Sequence, residues 1–388
     1  MRIYLDYAAT TPTDPRVLDA MRPYFGEVFG NASSLHVFGQ EARAAVDRAR
    51  KVLAQALGCQ PSEVVFTSGA TESDNWALVG TTLACEARGR HVVVSSVEHK
   101  AVLEPARFLA SRGFAVTLLP VDRFGQVDPD DVRRALRDDT VLLSVMHANN
   151  EVGTLQPVAE VARIARERGV LVHTDATQTF GALPVDVDAL GVDLLSASAH
   201  KRYGPKGVGL LYVRRGTRIE PLLRGGAHER GRRAGTENVP GIVGFARAVE
   251  LALAEREAEQ ARVGALRDRL LAGLLAIEGA VLNGHPTARL PNNANVSFEG
   301  VSSEALLLSL DLRGLAASSG SACTAGSLEP SHVLAAMGLP REQVEGAVRF
   351  TLGRWTTEQE VDAAVEMVRE AVGELRAASG RRKFRVRS

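Results

Sequence analysis

Short apolar runs rich in β-branched residues recur along the first 213 residues, and stretches with the apolar spacing of helices stand between many of them. The runs predict strands over 64–67, 91–96, 115–119, 141–145, 170–174, 193–198 and 208–213. The helical spacing predicts helices over 41–57, 72–88, 102–111, 129–136 and 157–168. Apolar strands alternating with helices are those of a largely parallel sheet buried on both faces. No helix separates the last two runs, so one of those strands is expected to be antiparallel.

Beyond Gly225 the pattern changes. A glycine-rich, basic stretch leads into a long helical pattern over 240–277, with a kink expected at Gly264. Strands over 294–298 and 348–351 and helices over 303–311, 331–337 and 358–375 follow. The expected organisation is a large domain at 14–257, a smaller α+β domain from 1–13 and 258–378, and a disordered basic tail at 379–388.

Composition narrows the class. The chain has 388 residues, 45% hydrophobic and 24% charged, enough for a large buried core. Lys and Arg together number 46, as do Asp and Glu, and a neutral chain argues against nucleic acid as the main substrate. The first residues lack the basic-then-apolar pattern of a secretory leader, and no apolar run approaches the roughly 20 residues of a membrane helix. Cys59, Cys85 and Cys323 lie far apart without metal-site spacing. A cytoplasmic, reduced protein with neither a disulfide framework nor a bound metal is expected.

Three segments carry candidate chemistry. Lys201 follows the run at 193–198 and precedes Gly204 and Gly207. Such a lysine is ordinarily a surface residue, but at a strand end in a cleft it is desolvated enough to be a nucleophile. Ser68, Gly69, Ala70 and Thr71 sit between a strand and a helix, where free N–H groups favour a phosphate, although simple capping explains the same residues. Asp175 ends a strand; it is either a structural carboxylate or the partner of a pyridinium nitrogen. Phosphate cup, aspartate and lysine, each after a strand, together form a site for pyridoxal 5'-phosphate (PLP), with Lys201 as the Schiff-base residue.

Cys323 lies among small residues, with no charge between Gly314 and Leu328. Cys59 and Cys85 read as inert packing or surface residues. No Lys or Arg near Cys323 would stabilise a thiolate, so its activation must come from elsewhere, and His99 is one candidate.

At segments 4–12, 31–36, 68–75, 97–100, 149–153, 175–178, 199–207, 233–238, 318–323 and 349–354 the chain resembles the cysteine desulfurases of the NifS/IscS type, within the class V PLP-dependent aminotransferase fold. The segment ending at Cys323 is particular to that subgroup. Ala32 stands where the family often has Pro, and Ala199 where it often has Gly. The resemblance implies a PLP-dependent transferase of fold type I, with a seven-stranded, mostly parallel sheet. It implies that Lys201 holds the cofactor, Asp175 pairs its ring nitrogen and His99 stacks on the ring and moves protons. Gln178 and Asn150 would contact the phenolic oxygen or the substrate. Ala70, Thr71, Ser198 and His200 would bind the phosphate, with Thr236 supplied by the second subunit of a homodimer. Arg349, with Asn31, would bind L-cysteine, and Cys323 would take its sulfur as a persulfide, leaving L-alanine. The acceptor would be an iron–sulfur scaffold, where Cys323 could transiently ligate the cluster, or a sulfur-relay protein. An aminotransferase or a selenocysteine/cysteine lyase of the same fold would need Lys201 and Asp175 equally but not Cys323, and a non-catalytic scaffold would need none of them.

Overall fold

The computed structural model describes residues 2–319 and 330–385, and Cys323 lies outside them. Its strands are β1 (Ile3–Tyr4), β2 (Val64–Thr67), β3 (His91–Ser95), β4 (Ala115–Leu119), β5 (Thr140–Ser144) and β6 (Leu171–Asp175). After them come β7 (Leu194–Ser198), β8 (Gly209–Val213), β9 (Ala280–Asn283), β10 (Asn293–Phe298), β11 (Leu315–Ala316) and β12 (Ala347–Thr351). Seven form one sheet in the order β2-β8-β7-β6-β5-β3-β4. The pairs from β4 through β7 are parallel, and β8 runs antiparallel to both its neighbours, as the missing helix before it predicts. Valines and leucines dominate these strands because helices cover both faces of the sheet, and polar residues such as Ser144, His173 and Ser196 sit among them hydrogen-bonded to one another.

The expected helix over 72–88 is interrupted. It runs as Ala70–Asn75, a wide π-helical turn at Trp76–Gly80, and Thr81–Ala84. Trp76 is buried there with its indole N–H donating to the Glu220 carbonyl at 2.7 Å, and a side chain at Gly80 would meet that same carbonyl. The widened turn thus makes room for a strap of backbone.

The helix Val239–Leu275 runs unbroken through Gly264, where the sequence suggested a kink. Glycine there weakens the helix by roughly 1 kcal/mol relative to alanine, but Ala265, Leu266 and Arg267 after it propagate the helix. Its first half joins the core on the large sheet through Ile242, Phe245 and Val249. Its second half joins another core through Leu266, Leu270 and Leu274, with β10, β12 and the final helix. Ile3 and Leu5 belong to this second core, carried there by parallel pairing of β1 with β11. That final helix extends over Glu358–Arg385, into the stretch 379–388 expected to be disordered. No proline interrupts it, and Arg and Lys are good helix formers. Among the described residues, no helix is long and apolar enough to cross a membrane.

The exposed edge of β2 is closed by an ion pair. Glu229 accepts from both Arg50 terminal nitrogens, at 2.7 and 2.6 Å, and from the Phe66 N–H at 3.0 Å, while Arg50 donates to the Val64 carbonyl. Edge groups that would otherwise invite another strand are thereby satisfied. Glu229 adopts φ 47° to reach them, and both side chains of the pair are buried. Glu229→Ala is expected to destabilise the protein by about 3–5 kcal/mol, since it leaves Arg50 buried and unpaired. Urea unfolding checks this, and a loss below about 1 kcal/mol would contradict it.

Candidate active site

The carboxyl ends of β2, β6 and β7 open onto one cavity of about 600 Å³. Ligands of open α/β sheets bind in this place. Lys201, His99, Asp175, Ala70, Thr71, Asn150, Gln178, Ser198, His200 and Arg349 all line it.

Lys201 closes a tight turn, Ala199–Lys201, directly after β7. Ala199 is buried, and a side chain at Gly204 would stand 2.8 Å from its methyl group, so glycine is required there. The Lys201 ammonium donates to the carbonyls of Ala8 and Ala9 at 2.6 and 2.7 Å. Thr11 fixes that N-terminal segment to the lysine turn, its hydroxyl donating to the His200 carbonyl and accepting from Tyr203 N–H. Ala8, Ala9 and Thr10 thus wall the cavity, a role the sequence reading did not assign. They act through main-chain carbonyls, which leave no side-chain signature, although the segment 4–12 was itself conspicuous.

Asp175 is buried at the end of β6 and accepts the Thr177 N–H at 2.8 Å. Gly69 (φ 155°) opens the turn into Ala70–Asn75, whose first residues, Ala70 and Thr71, line the cavity with Ser198 and His200. Burial, then the charges of Lys201 and Lys206, pull the His200 imidazole down to about 4, so it is neutral there. His99 caps the helix Lys100–Ser111, its Nδ1 accepting the Ala101 N–H at 3.1 Å, which leaves the proton of the neutral ring on Nε2.

Arg349 is 2% exposed. It donates to Asp6 at 2.7 Å and to the Asn150 carbonyl at 2.9 Å, and its Nε is buried without a hydrogen bond among the described residues. Its main chain pairs with Ser318, just before the Cys323 segment. Beyond that segment, Ser331 donates to Glu151 at 2.5 Å and His332 Nε2 lies 2.9 Å from the Glu98 carbonyl. Both flanks are therefore fastened beside the cavity walls.

Two expected residues do not line it. Asn31 is exposed and accepts from Ser33. Thr236, also exposed, lines a second cavity of about 240 Å³ that shares Ser68 and Gly207 with the first. Cys59 and Cys85 do not line the main cavity, and burial pushes the Cys59 thiol up to about 12.

The donor set fits PLP, with amide and hydroxyl donors for a phosphate, a carboxylate for a ring nitrogen and an amine for an aldehyde. Residues 3–364 match the family model of class-V aminotransferases. The chain belongs to this family. A class-V relative from Dictyoglomus turgidum, called cysteine desulfurase IscS, is 52% identical over 97% of the chain and 96% of its own length. The protein of that name from Methanosarcina thermophila is 53% identical over 97% and 93%. Among solved structures, a NifS-like protein superposes with a TM-score of 0.91 at 42% identity, covering 96% of this chain and all of the other.

Glu98, beside His99, is fully buried, with one oxygen accepting the Met146 N–H and the other without a hydrogen bond among the described residues. Burial, with the charge of Asp175 adding to it, raises its carboxyl from 4.5 to about 8. The folded protein therefore retains a proton that the unfolded chain loses near pH 4.5, and stability falls as the pH rises to about 8. Glu98→Gln is expected to flatten that slope and to stabilise the protein above pH 8 by about 1–3 kcal/mol, measured by urea unfolding across the pH range. An unchanged slope would refute the assignment.

Proposed function

We infer that this chain is a PLP-dependent cysteine desulfurase, which takes sulfur from L-cysteine as a persulfide on Cys323 and releases L-alanine. The observation that carries the reading is one cavity lined by Lys201, Asp175 and Arg349, with both flanks of the Cys323 segment fastened to its walls. The large sheet forms the cofactor domain (14–257), and residues 1–13 and 258–378 form the smaller one.

When bound, the cofactor supplies an aldehyde for the substrate amine and a ring that takes up electron density from the substrate. The Ala70 and Thr71 amides, Ser198 and His200 would hold its phosphate, and Asp175 would pair its ring nitrogen. Gln178 and Asn150 would contact the phenolic oxygen or hold the substrate. Arg349 Nε, buried without a partner among the described residues, receives the substrate carboxylate, work for which a guanidinium is suited. Lys201 Nζ removes the Cα proton, and His99 Nε2 carries a proton at the ring face. The Cys323 thiolate then bonds to the substrate sulfur as the carbon–sulfur bond breaks. L-Cysteine and the Cys323 thiol give L-alanine and the Cys323 persulfide, with no other reactant.

A homodimer places Thr236 of each subunit at the other's phosphate. The sulfur passes in the cytoplasm to an iron–sulfur scaffold or a relay protein, which takes it from the persulfide. Asn31, expected to bind the substrate with Arg349, is exposed outside the cavity and is given no part in this step.

The test is Cys323→Ala. The variant should keep bound PLP and its visible absorption, while alanine formation from L-cysteine falls at least a hundredfold. Alanine formation at the wild-type rate, with no keto acid added, would overturn the assignment of Cys323.

A further inference from the structure

Asp74 is a buried carboxylate of this site that the mechanism does not use. It lies in the helical segment Ala70–Asn75, lines the cavity and is 1% exposed. Neither of its oxygens has a hydrogen-bond partner among the described residues. The His173 Nε2 lies 3.5 Å from Asp74 Oδ1, and that imidazole is held on both sides, 2.9 Å from Ser144 Oγ and 3.0 Å from Ser196 Oγ. His173 and Asp175, two residues apart in β6, point to one face of the sheet, and Asp175 stands opposite Ser196 in β7. Asp74, His173 and Asp175 thus share one buried region; Glu98 also acts on Asp74 there, and His99, His200, Lys201 and Arg349 line the same cavity.

Two observations distribute the charge. Asp175 accepts an amide hydrogen, whereas Asp74 accepts none, and a buried anion without a donor is strongly disfavoured. Burial pulls His173 down to about 3, so no imidazolium offsets a second anion. In keeping with this, burial, with the charges of Asp175 and Glu98 behind it, pushes the Asp74 carboxyl well above the usual carboxylate range despite the nearby Ser196 hydroxyl.

We propose that Asp74 is a positioning residue carried as the neutral acid, so that the buried group bears one negative charge and bears it on Asp175, toward the ring nitrogen of the cofactor. The proposal rests on the cofactor reading above. The neutral acid can donate toward His173 Nε2, 3.5 Å from Asp74 Oδ1 in the strand that carries Asp175. An amide can replace that donor and a hydrocarbon cannot.

Infrared spectroscopy of the holoenzyme reads the protonation state directly. In a Glu98→Gln background, which removes the other buried acid of the site, Asp74→Asn should abolish a carbonyl band of a protonated carboxyl group at neutral pH. No loss of such a band means an ionised Asp74 and overturns the proposal. In the second arm, Asp74→Asn should retain PLP affinity within about threefold, while Asp74→Leu weakens it about tenfold, the worth of one hydrogen bond. Equal loss in both variants would mark a packing role and overturn the proposal. A wild-type protein that binds no PLP would instead refute the cofactor reading, and the proposal with it.

Discussion

Asp175 stands opposite Ser196 in the parallel pair β6–β7, and a slip of one residue in that register would turn His173 and Asp175 to the other face of the sheet. Lys201 follows three residues after β7 ends, so the same register fixes the separation between the buried carboxylate and the amine. Everything else at the site is arranged around that pair of strand ends. The turn after β2 brings Ser68–Thr71 from one side, and the N-terminal turn brings the carbonyls of Ala8 and Ala9 from the other.

Burial of charge sets the second constraint. Asp74 and Asp175 line the cavity and Glu98 is buried close by, with His173 in β6 and His147 after β5, and burial holds both imidazoles neutral. Several carboxyl groups in a dry region do not ionise together. Such a region favours a ligand that brings a positive charge to it, as a protonated pyridine ring does. At the opposite wall Arg349 is held by Asp6 and the Asn150 carbonyl, an arrangement that keeps a buried guanidinium rigid and leaves its Nε–H among the donors open to an anionic substrate.

Much of this was legible in the sequence. Apolar runs located all seven strands of the large sheet, and the absence of a helix before β8 foretold its reversed direction. Lys201, Asp175 and Thr71 stood out because each follows a strand, where side chains reach a ligand. Asp74 did not, because an acidic residue in the first turn of a helix reads as ordinary capping and only its burial shows otherwise. The π-helical turn at Trp76–Gly80 was hidden for a similar reason, since the strap that it accommodates lies more than a hundred residues away. β1, β9 and β11 are short, and no period of two can be read from so few residues.

The central claim is that sulfur leaves the substrate onto one particular thiol. Single-turnover reaction with sulfur-labelled L-cysteine, followed by peptide mass spectrometry under non-reducing conditions, tests it most directly. The account predicts one labelled sulfur atom on the peptide containing Cys323 for each alanine released. Label on Cys59 or Cys85, or alanine released with no sulfur bound to the protein, would contradict it.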